Sequence, residues 1–166
     1  ASLKKKNLVL KEQDCNEYLD NLIKRIKKRN SYYFFFVDPH CKEFLWESMK
    51  KVLKLRSDII FTFMTSEIYR AVALAKKGKS AGEAWTNMFG DESWRDANCA
   101  DELIPIYCQN IKKERPEALI ETIKIRSGKY NFCYHVLFIT NKTKGNNVWL
   151  RAIRKAKEEI ESQTDK

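Results

Sequence analysis

Glycine and histidine are scarce in this chain, and their scarcity excludes several kinds of functional site. The 166 residues include five glycines and two histidines, and none of the glycines follows an early predicted strand. Phosphate-binding loops need glycines at a strand-to-helix turn, and the sequence has no such loop. It also has no HExxH zinc-protease motif and no nucleophile elbow of the serine-hydrolase type. The common hydrolase and kinase functions therefore have no motif to support them.

Clustered cysteines and long apolar runs are absent as well. The five cysteines are scattered, and none forms a CxxC pair or a cysteine–histidine pair with zinc-ligand spacing. We therefore expect no metal site, and reduced thiols in a cytoplasmic protein. No apolar stretch approaches the roughly 18 residues needed to cross a bilayer, and no signal peptide is visible, so no membrane partner is expected.

Basic residues are abundant and give the chain a net charge of +10. They cluster near residues 4–6, 24–29, 50–51 and 151–157. Such clusters suit binding to the phosphates of nucleic acids. Lysine-rich helix faces are also ordinary solvated surfaces, so the charge leaves both interpretations open.

The apolar run at residues 32–37 is the clearest local signal. It consists of aromatic residues and valine without alternation, which predicts a strand buried on both faces of a parallel sheet. Its aromatic residues are accordingly predicted to be core. The run ends at Asp38-Pro39, a rigid turn at the carboxyl end of the strand, where ligands bind in open α/β sheets. Asp38 is therefore either a candidate for chemistry or a turn aspartate that bonds to nearby amides.

Strand and helix patterns alternate along the first half of the chain. Strands are predicted at residues 8–10, 32–37 and 58–63, with helices that begin near residues 14, 42 and 66. An irregular stretch and a helix over 103–112 precede two strands at 119–126 and 132–140, which a turn at 127–130 joins. A last amphipathic helix begins near residue 143. These patterns predict a single α/β domain over residues 1–166, with a doubly wound, mostly parallel sheet, helices on both faces and a C-terminal antiparallel hairpin.

Four segments together resemble the three-Cys-motif partner proteins, which are prokaryotic proteins often found beside a companion with a three-cysteine motif. The segments are FVDPH at 36–40, FTFM and EIYR within 61–70, MFG followed by Trp94, and YHVLFIT at 134–140. Each is short, but they cover nearly the whole chain in the family's order. The resemblance implies a fold like that of methyltransferases that use S-adenosylmethionine, in which a reversed last strand lies next to the fifth strand, here residues 58–63.

The resemblance also implies roles for individual residues. Asp38, Pro39 and His40 would form the acceptor loop beside the cofactor, where Asp38 would orient a nucleophilic amine and His40 would act as a base or stack on the substrate. Asp14 lies where related methyltransferases place an acidic residue near the adenine amine. It is also a good helix N-cap, and this is the stronger interpretation.

Three further residues are predicted to contact substrate: Glu67, Arg70 and Trp94. Glu67 and Arg70 begin a helix on the ligand side of the sheet, where they would bind phosphate or form a surface ion pair with each other. Trp94 lies in the irregular segment and would line a cleft or pack that segment down.

The chain departs from the family pattern in its cofactor motif. The glycine-rich turn that would hold the methionine end of S-adenosylmethionine is missing, as is the later acidic residue for the ribose. We therefore expect the C-terminal part of a methyltransferase-like domain, without its N-terminal cofactor-binding strands and with weak or no cofactor binding. Self-association or a missing companion segment would cover the exposed sheet edge. The resemblance separately implies the three-Cys-motif companion protein as a partner.

Two functions follow from these observations. The first is methyl transfer in the intact protein, with nucleic acid as the acceptor that the charge suggests. The second is a non-catalytic module with a methyltransferase-like fold that binds nucleic acid or protein.

Overall fold

A computed structural model describes residues 10–26, 31–127, 132–142 and 147–164. The chain divides into two compact units, Ala1–Asn30 and Ser31–Lys166. The first unit contains helix α1 (Cys15–Ile26). Residues 8 and 9 of the strand predicted at 8–10 lie outside the described residues.

Asp14 caps α1. Its Oδ1 atom accepts hydrogen bonds of 2.8 and 3.1 Å from the backbone N–H groups of Asn16 and Glu17. A side-chain oxygen in this position satisfies N–H groups that have no partner within the helix and stabilises it by about 1 kcal/mol. The capping interpretation of Asp14 is therefore confirmed.

The second unit consists of a sheet and its helices. The strands are β1 (Tyr33–Val37), β2 (Ser57–Phe63), β3 (Ala118–Ser127) and β4 (Phe132–Asn141). The helices are α2 (Trp46–Leu53), α3 (Thr65–Lys76), α4 (Glu83–Phe89), α5 (Leu103–Glu114) and α6 (Val148–Thr164). Two short 3-10 helices, Glu92–Asp96 and Ala100–Glu102, lie between α4 and α5. Residues 128–130 of the predicted hairpin turn lie outside the described residues.

The four strands have the order β1-β2-β4-β3. β1 and β2 are parallel, whereas β4 is antiparallel to both β2 and β3. The prediction of a doubly wound, mostly parallel sheet is therefore wrong, because the described sheet is mixed and has a single parallel pair. The reason is that the β3–β4 hairpin adds its second strand to β2, so the sheet continues beyond β2 by antiparallel pairing. The α/β class and the C-terminal antiparallel hairpin are confirmed.

One face of the sheet forms the main core, and we call it the covered face. Five of its large apolar side chains have no solvent exposure: Ile59, Phe61, Phe63, Leu137 and Ile139. Tyr107 of α5 packs on this face, with its ring stacked 5.6 Å from that of Phe61. The rings of Trp46 in α2 and Phe89 in α4 are nearly perpendicular to that of Tyr107, with ring centres 5.4 and 5.5 Å from its own. Aromatic packing of this kind fixes three helices on one side of the sheet.

The opposite face is only partly covered, and we call it the open face. Strand register places on it, among others, the side chains of Phe34, Phe36, Ile60, Thr62, Val136 and Phe138. Helix α6 covers the β3 side, where Phe138 is buried, but Phe34 and Phe36 are 62% and 65% exposed. The prediction that this strand is buried on both faces is therefore wrong. β1 is an edge strand of the described sheet, and its outward aromatic residues project beyond the area that α6 covers.

Candidate functional site

The loop after β1 places Asp38, Pro39 and His40 at the carboxyl end of the parallel strand pair. Asp38 and His40 are exposed, and Pro39 is half-buried. The backbone N–H of His40 donates to Oε2 of Glu43 at 3.2 Å, and the N–H of Glu43 donates to the carbonyl of His40 at 3.3 Å. Cys41 has a φ of 57°, a left-handed conformation that costs a non-glycine residue about 1 kcal/mol. The loop is thus a tight turn held by its own hydrogen bonds.

This turn brings His40 next to the first turn of α3. Its Nε2 atom lies 3.8 Å from Oε2 of Glu67, and the two side chains are 73% and 30% exposed. Arg70 lies one turn further along α3 and is exposed. Within the described residues Glu67 therefore pairs with His40, and the predicted ion pair between Glu67 and Arg70 does not form. The structure brings Asp38, His40 and Glu67 to one edge of the sheet.

A hollow of about 420 Å³ lies beside Asp38 on the open face. The residues that line it are mainly apolar and aromatic: Phe36, Asp38, Thr62, Met64, Phe132, Tyr134 and Val136. S-adenosylmethionine needs partners for an amino-acid group, a ribose and an adenine, and this lining offers two hydroxyl groups and one carboxylate. None of the described glycines, Gly78, Gly82 and Gly90, lies at the carboxyl end of β1. The described residues therefore do not fit this cofactor.

Trp94 has no solvent exposure. Its Nε1 atom donates a 3.1 Å hydrogen bond to Oγ1 of Thr86, and the guanidinium of Arg95 lies 4.2 Å from the centre of its ring. Trp94 therefore packs the irregular segment, which is one of the two roles that the sequence leaves open for it. In this position it presents no surface to a substrate.

A second hollow, of about 390 Å³, lies on the open face between β1 and α6. Most of its lining is apolar or aromatic: Tyr32, Phe34, Asp58, Ile60, Phe138, Trp149 and Ile153. At one side the hydroxyl of Tyr32 donates a 2.8 Å hydrogen bond to Oδ1 of Asp58. The sequence interpretation did not find this site because it assigned the aromatic residues of β1 to the core. The available signal was Asp58 itself, an acidic residue within an apolar strand.

Polar side chains also meet beneath the carboxyl end of β2. Oγ1 of Thr65 lies 2.6 Å from Nδ1 of His135, and the hydroxyl of Ser66 donates to Sγ of Cys133 at 3.2 Å. Burial, and then the nearby positive charge of Lys124, lower the pKa of His135 to about 4. His135 is therefore neutral at physiological pH and joins the start of α3 to β4.

The described part of the chain contains no cluster of three or more acidic, cysteine or histidine side chains that could hold a metal ion. No helix within it is long and apolar enough to cross a membrane. No protein family, curated protein or solved structure gives a significant match to this chain. Evidence for its function therefore comes from the geometry of the open face and of the Asp38 turn.

Proposed function

We propose that this chain is a non-catalytic binding module whose open face binds a segment of another protein. The observation that carries this proposal is the exposure of Phe34 and Phe36, at 62% and 65%, on neighbouring outward positions of one strand. Burial of apolar surface is worth about 25 cal/mol per Å². Two exposed phenylalanines between two apolar hollows therefore offer a favourable contact surface of the kind that marks protein interaction sites.

The charges of the open face favour a protein over a nucleic acid. Asp58 lies on this face by strand register, with Asp38 at the end of β1. Glu121 lies on it as well, but its Oε1 atom is paired with Nε of Arg154 in α6 at 2.6 Å. By the same register the basic residues of β3, Lys124 and Arg126, lie on the covered face. Nucleic-acid binding requires cations that neutralise phosphates, and beside Phe34 and Phe36 the phosphates would meet the carboxylates of Asp38 and Asp58 instead. An apolar segment that carries lysine or arginine is the partner that this surface suits.

A selection of binding peptides from a random displayed library tests this proposal. We expect the selected peptides to combine apolar and basic residues, because those residues complement the open face. Replacement of Phe36 by aspartate should weaken their binding by at least about tenfold, as expected for a central apolar contact. Leu74→Asp is the matched control, because Leu74 is 48% exposed on α3, away from the open face.

Two results would contradict this proposal. One is peptide binding that Phe36→Asp leaves unchanged. The other is tight binding of a single-stranded oligonucleotide that Phe36→Asp abolishes, which would identify the open face as a nucleic-acid surface. A cytoplasmic location, in which the five cysteines stay reduced thiols, belongs to the same proposal, and none of the five forms a disulfide in the structure.

Methyl transfer is a second candidate function, and the position of β4 favours it. β4 lies antiparallel beside β2, the position that the resemblance to methyltransferases implies for a reversed last strand. Asp38 follows β1 at the edge where the acceptor would bind. Because the described residues do not fit S-adenosylmethionine, a companion segment would have to supply the rest of the cofactor site. Calorimetric titration with S-adenosylmethionine is expected to give no binding, and saturable binding would rank methyl transfer first.

A further inference from the structure

We infer that the hollow between β1 and α6 is a recognition site for an alkylated ammonium group, the chemistry of a methylated lysine on the bound segment. This inference rests on the proposed function for the source of the ligand, whereas the residues of the hollow themselves support the site. We call this hollow the cation hollow. It is distinct from the hollow beside Asp38, which lies towards the other end of β1.

Three aromatic side chains border the cation hollow and remain open to solvent. Tyr32, Phe34 and Trp149 are 49%, 62% and 67% exposed. Tyr32 and Phe34 belong to the β1 side and Trp149 to α6, so aromatic rings lie on two sides of the space between them. The faces of such rings attract a cation within about 6 Å of the ring centre, with a gain of about 0.5 to 2 kcal/mol.

A carboxylate lies at the same hollow. Asp58 is only 9% exposed, and its Oδ1 atom accepts the hydrogen bond from Tyr32. Its Oδ2 atom has no hydrogen-bond partner among the described residues. A nearly buried carboxylate is costly unless a positive charge or further donors compensate it. A cation that enters the hollow would provide this compensation.

The charge of Asp58 acts on Arg115, but the two side chains do not form this pair. Arg115 is 7% exposed, and in the described structure it forms no ion pair with Asp58. The guanidinium instead donates hydrogen bonds to four backbone carbonyl groups, those of Val52, Leu53, Leu55 and Ser57. Its remaining hydrogen bond is to the hydroxyl of Ser57. The donors of Arg115 are therefore occupied by these oxygens, and none of them is hydrogen-bonded to Asp58.

The remaining lining selects among cations. Ile60, Phe138 and Ile153 contribute apolar surface, which suits methyl groups and offers no hydrogen-bond acceptor. An unmodified lysine ammonium is compact and strongly hydrated, and it would lose water here without equivalent partners. A trimethylated ammonium carries the same charge with an apolar surface. The hollow is therefore expected to prefer the alkylated form.

Choline and its neutral isostere 3,3-dimethylbutanol separate charge recognition from simple apolar binding. We expect choline to shift the indole N–H resonance of Trp149 in NMR titrations and to bind at least about tenfold more tightly than the isostere, which corresponds to about 1.4 kcal/mol. Asp58→Asn should remove this preference. Phe34→Ala, at an exposed position, should weaken choline binding even if Asp58→Asn fails to fold. Leu74→Ala is the matched control, because Leu74 is 48% exposed on α3, away from the open face, and it should leave choline binding unchanged.

Equal affinity for choline and 3,3-dimethylbutanol would overturn the inference, as would choline binding that Phe34→Ala leaves intact. These results are distinguishable from failure of the proposed function. If selected peptides bind the open face but the protein does not prefer choline over 3,3-dimethylbutanol, the binding module is supported and the cation site is excluded. Choline binding without any peptide binding would keep the cation site and remove the protein segment as its source.

Discussion

Nδ1 of His135 in β4 lies 2.6 Å from Oγ1 of Thr65, the first residue of α3. The hydroxyl of Thr65 also donates to the carbonyl of Phe63 at 3.1 Å. A hydroxyl has one proton and a carbonyl can only accept. Both hydrogen bonds therefore form only when Nδ1–H of His135 donates to Thr65 and Thr65 donates to Phe63. This assigns the proton of neutral His135 to Nδ1.

The neutral state of His135 predicts a pH-dependent stability. Its pKa is lowered from 6.5 to about 4, so between these values the unfolded chain binds a proton that the folded chain does not. The free energy of unfolding should therefore fall as the pH decreases from about 6.5 to about 4, by up to about 3 kcal/mol. Below that range this group contributes no further change. Urea denaturation at several pH values measures the slope.

Replacement of His135 by asparagine should flatten this part of the profile. His40→Asn is the control, because the side chain of His40 is 73% exposed, and its profile should keep the wild-type slope. The chain has two histidines, so the two variants account for all histidine titration. If the free energy of unfolding of His135→Asn still falls with pH as steeply as that of the wild type, the lowered pKa of His135 is not its cause.

Gly90 is predicted to be irreplaceable on steric grounds. It ends α4 with a φ of 91°, and a Cβ atom at this position would overlap the indole ring of Trp46. Gly90→Ala should lower the free energy of unfolding by about 3 kcal/mol, since backbone strain and overpacking add. Gly78→Ala separates these terms, because Gly78 has a φ of 69° but open space around it. Gly78→Ala should lower the free energy of unfolding by about 1 kcal/mol. Equal losses for the two variants in urea denaturation would exclude a clash between residue 90 and the ring of Trp46.

Arg115 is predicted to be essential for stability rather than for binding. It satisfies carbonyl groups at the end of α2, before β2 and at the first residue of β2 through several N–H groups at once. Lysine has the same charge but a single nitrogen, so Arg115→Lys should cost about 3 kcal/mol by leaving buried carbonyls without donors. Arg70→Lys, on the exposed surface of α3, should change stability by less than about 0.5 kcal/mol. Similar melting temperatures for both variants would be inconsistent with this role.

Tyr107 is expected to tolerate the loss of its hydroxyl. That oxygen is buried and has no hydrogen-bond partner within the described structure, and burial raises the pKa of the phenol. Tyr107→Phe keeps the ring packing and removes an unsatisfied polar group, so stability should stay the same or rise by about 1 kcal/mol. Tyr69→Phe provides the contrast, because the hydroxyl of Tyr69 donates a 2.6 Å hydrogen bond to the carbonyl of Asn98. In thermal denaturation, the Tyr107→Phe variant should have a higher melting temperature than the Tyr69→Phe variant.

Local periodicity was sufficient to predict most helices and strands. The helix predicted over 103–112 is α5, and the strand predicted at 58–63 is β2, each within two residues at either end. The exposure of β1 could not be predicted in the same way. Five consecutive aromatic or β-branched residues contain no alternation, so nothing in the run distinguishes Phe34, which faces solvent, from Phe35, which faces the other side.

The candidate site shows the same limit. The position of Asp38 at the end of a strand could be predicted because proline stops the strand locally. The residues that come together near this edge of the sheet could not be predicted, since His135 reaches Thr65 only through the pairing of β4 with β2. Asp58 and Trp149 likewise meet at the cation hollow through strands and a helix that are distant in sequence. Sequence patterns predict elements well, whereas the neighbours of an element depend on the sheet order.

The insertion of β4 between β2 and β3 has a consequence for synthesis. Until β4 has been made, β3 has no partner and β2 pairs with β1 alone. A two-stranded sheet is at best marginally stable in water, and pairing between strands far apart along the chain is slow. The nascent protein therefore exposes its aromatic strands until the last hairpin forms, and a chaperone that shields apolar segments should have its longest contact with the ribosome-bound chain at this stage.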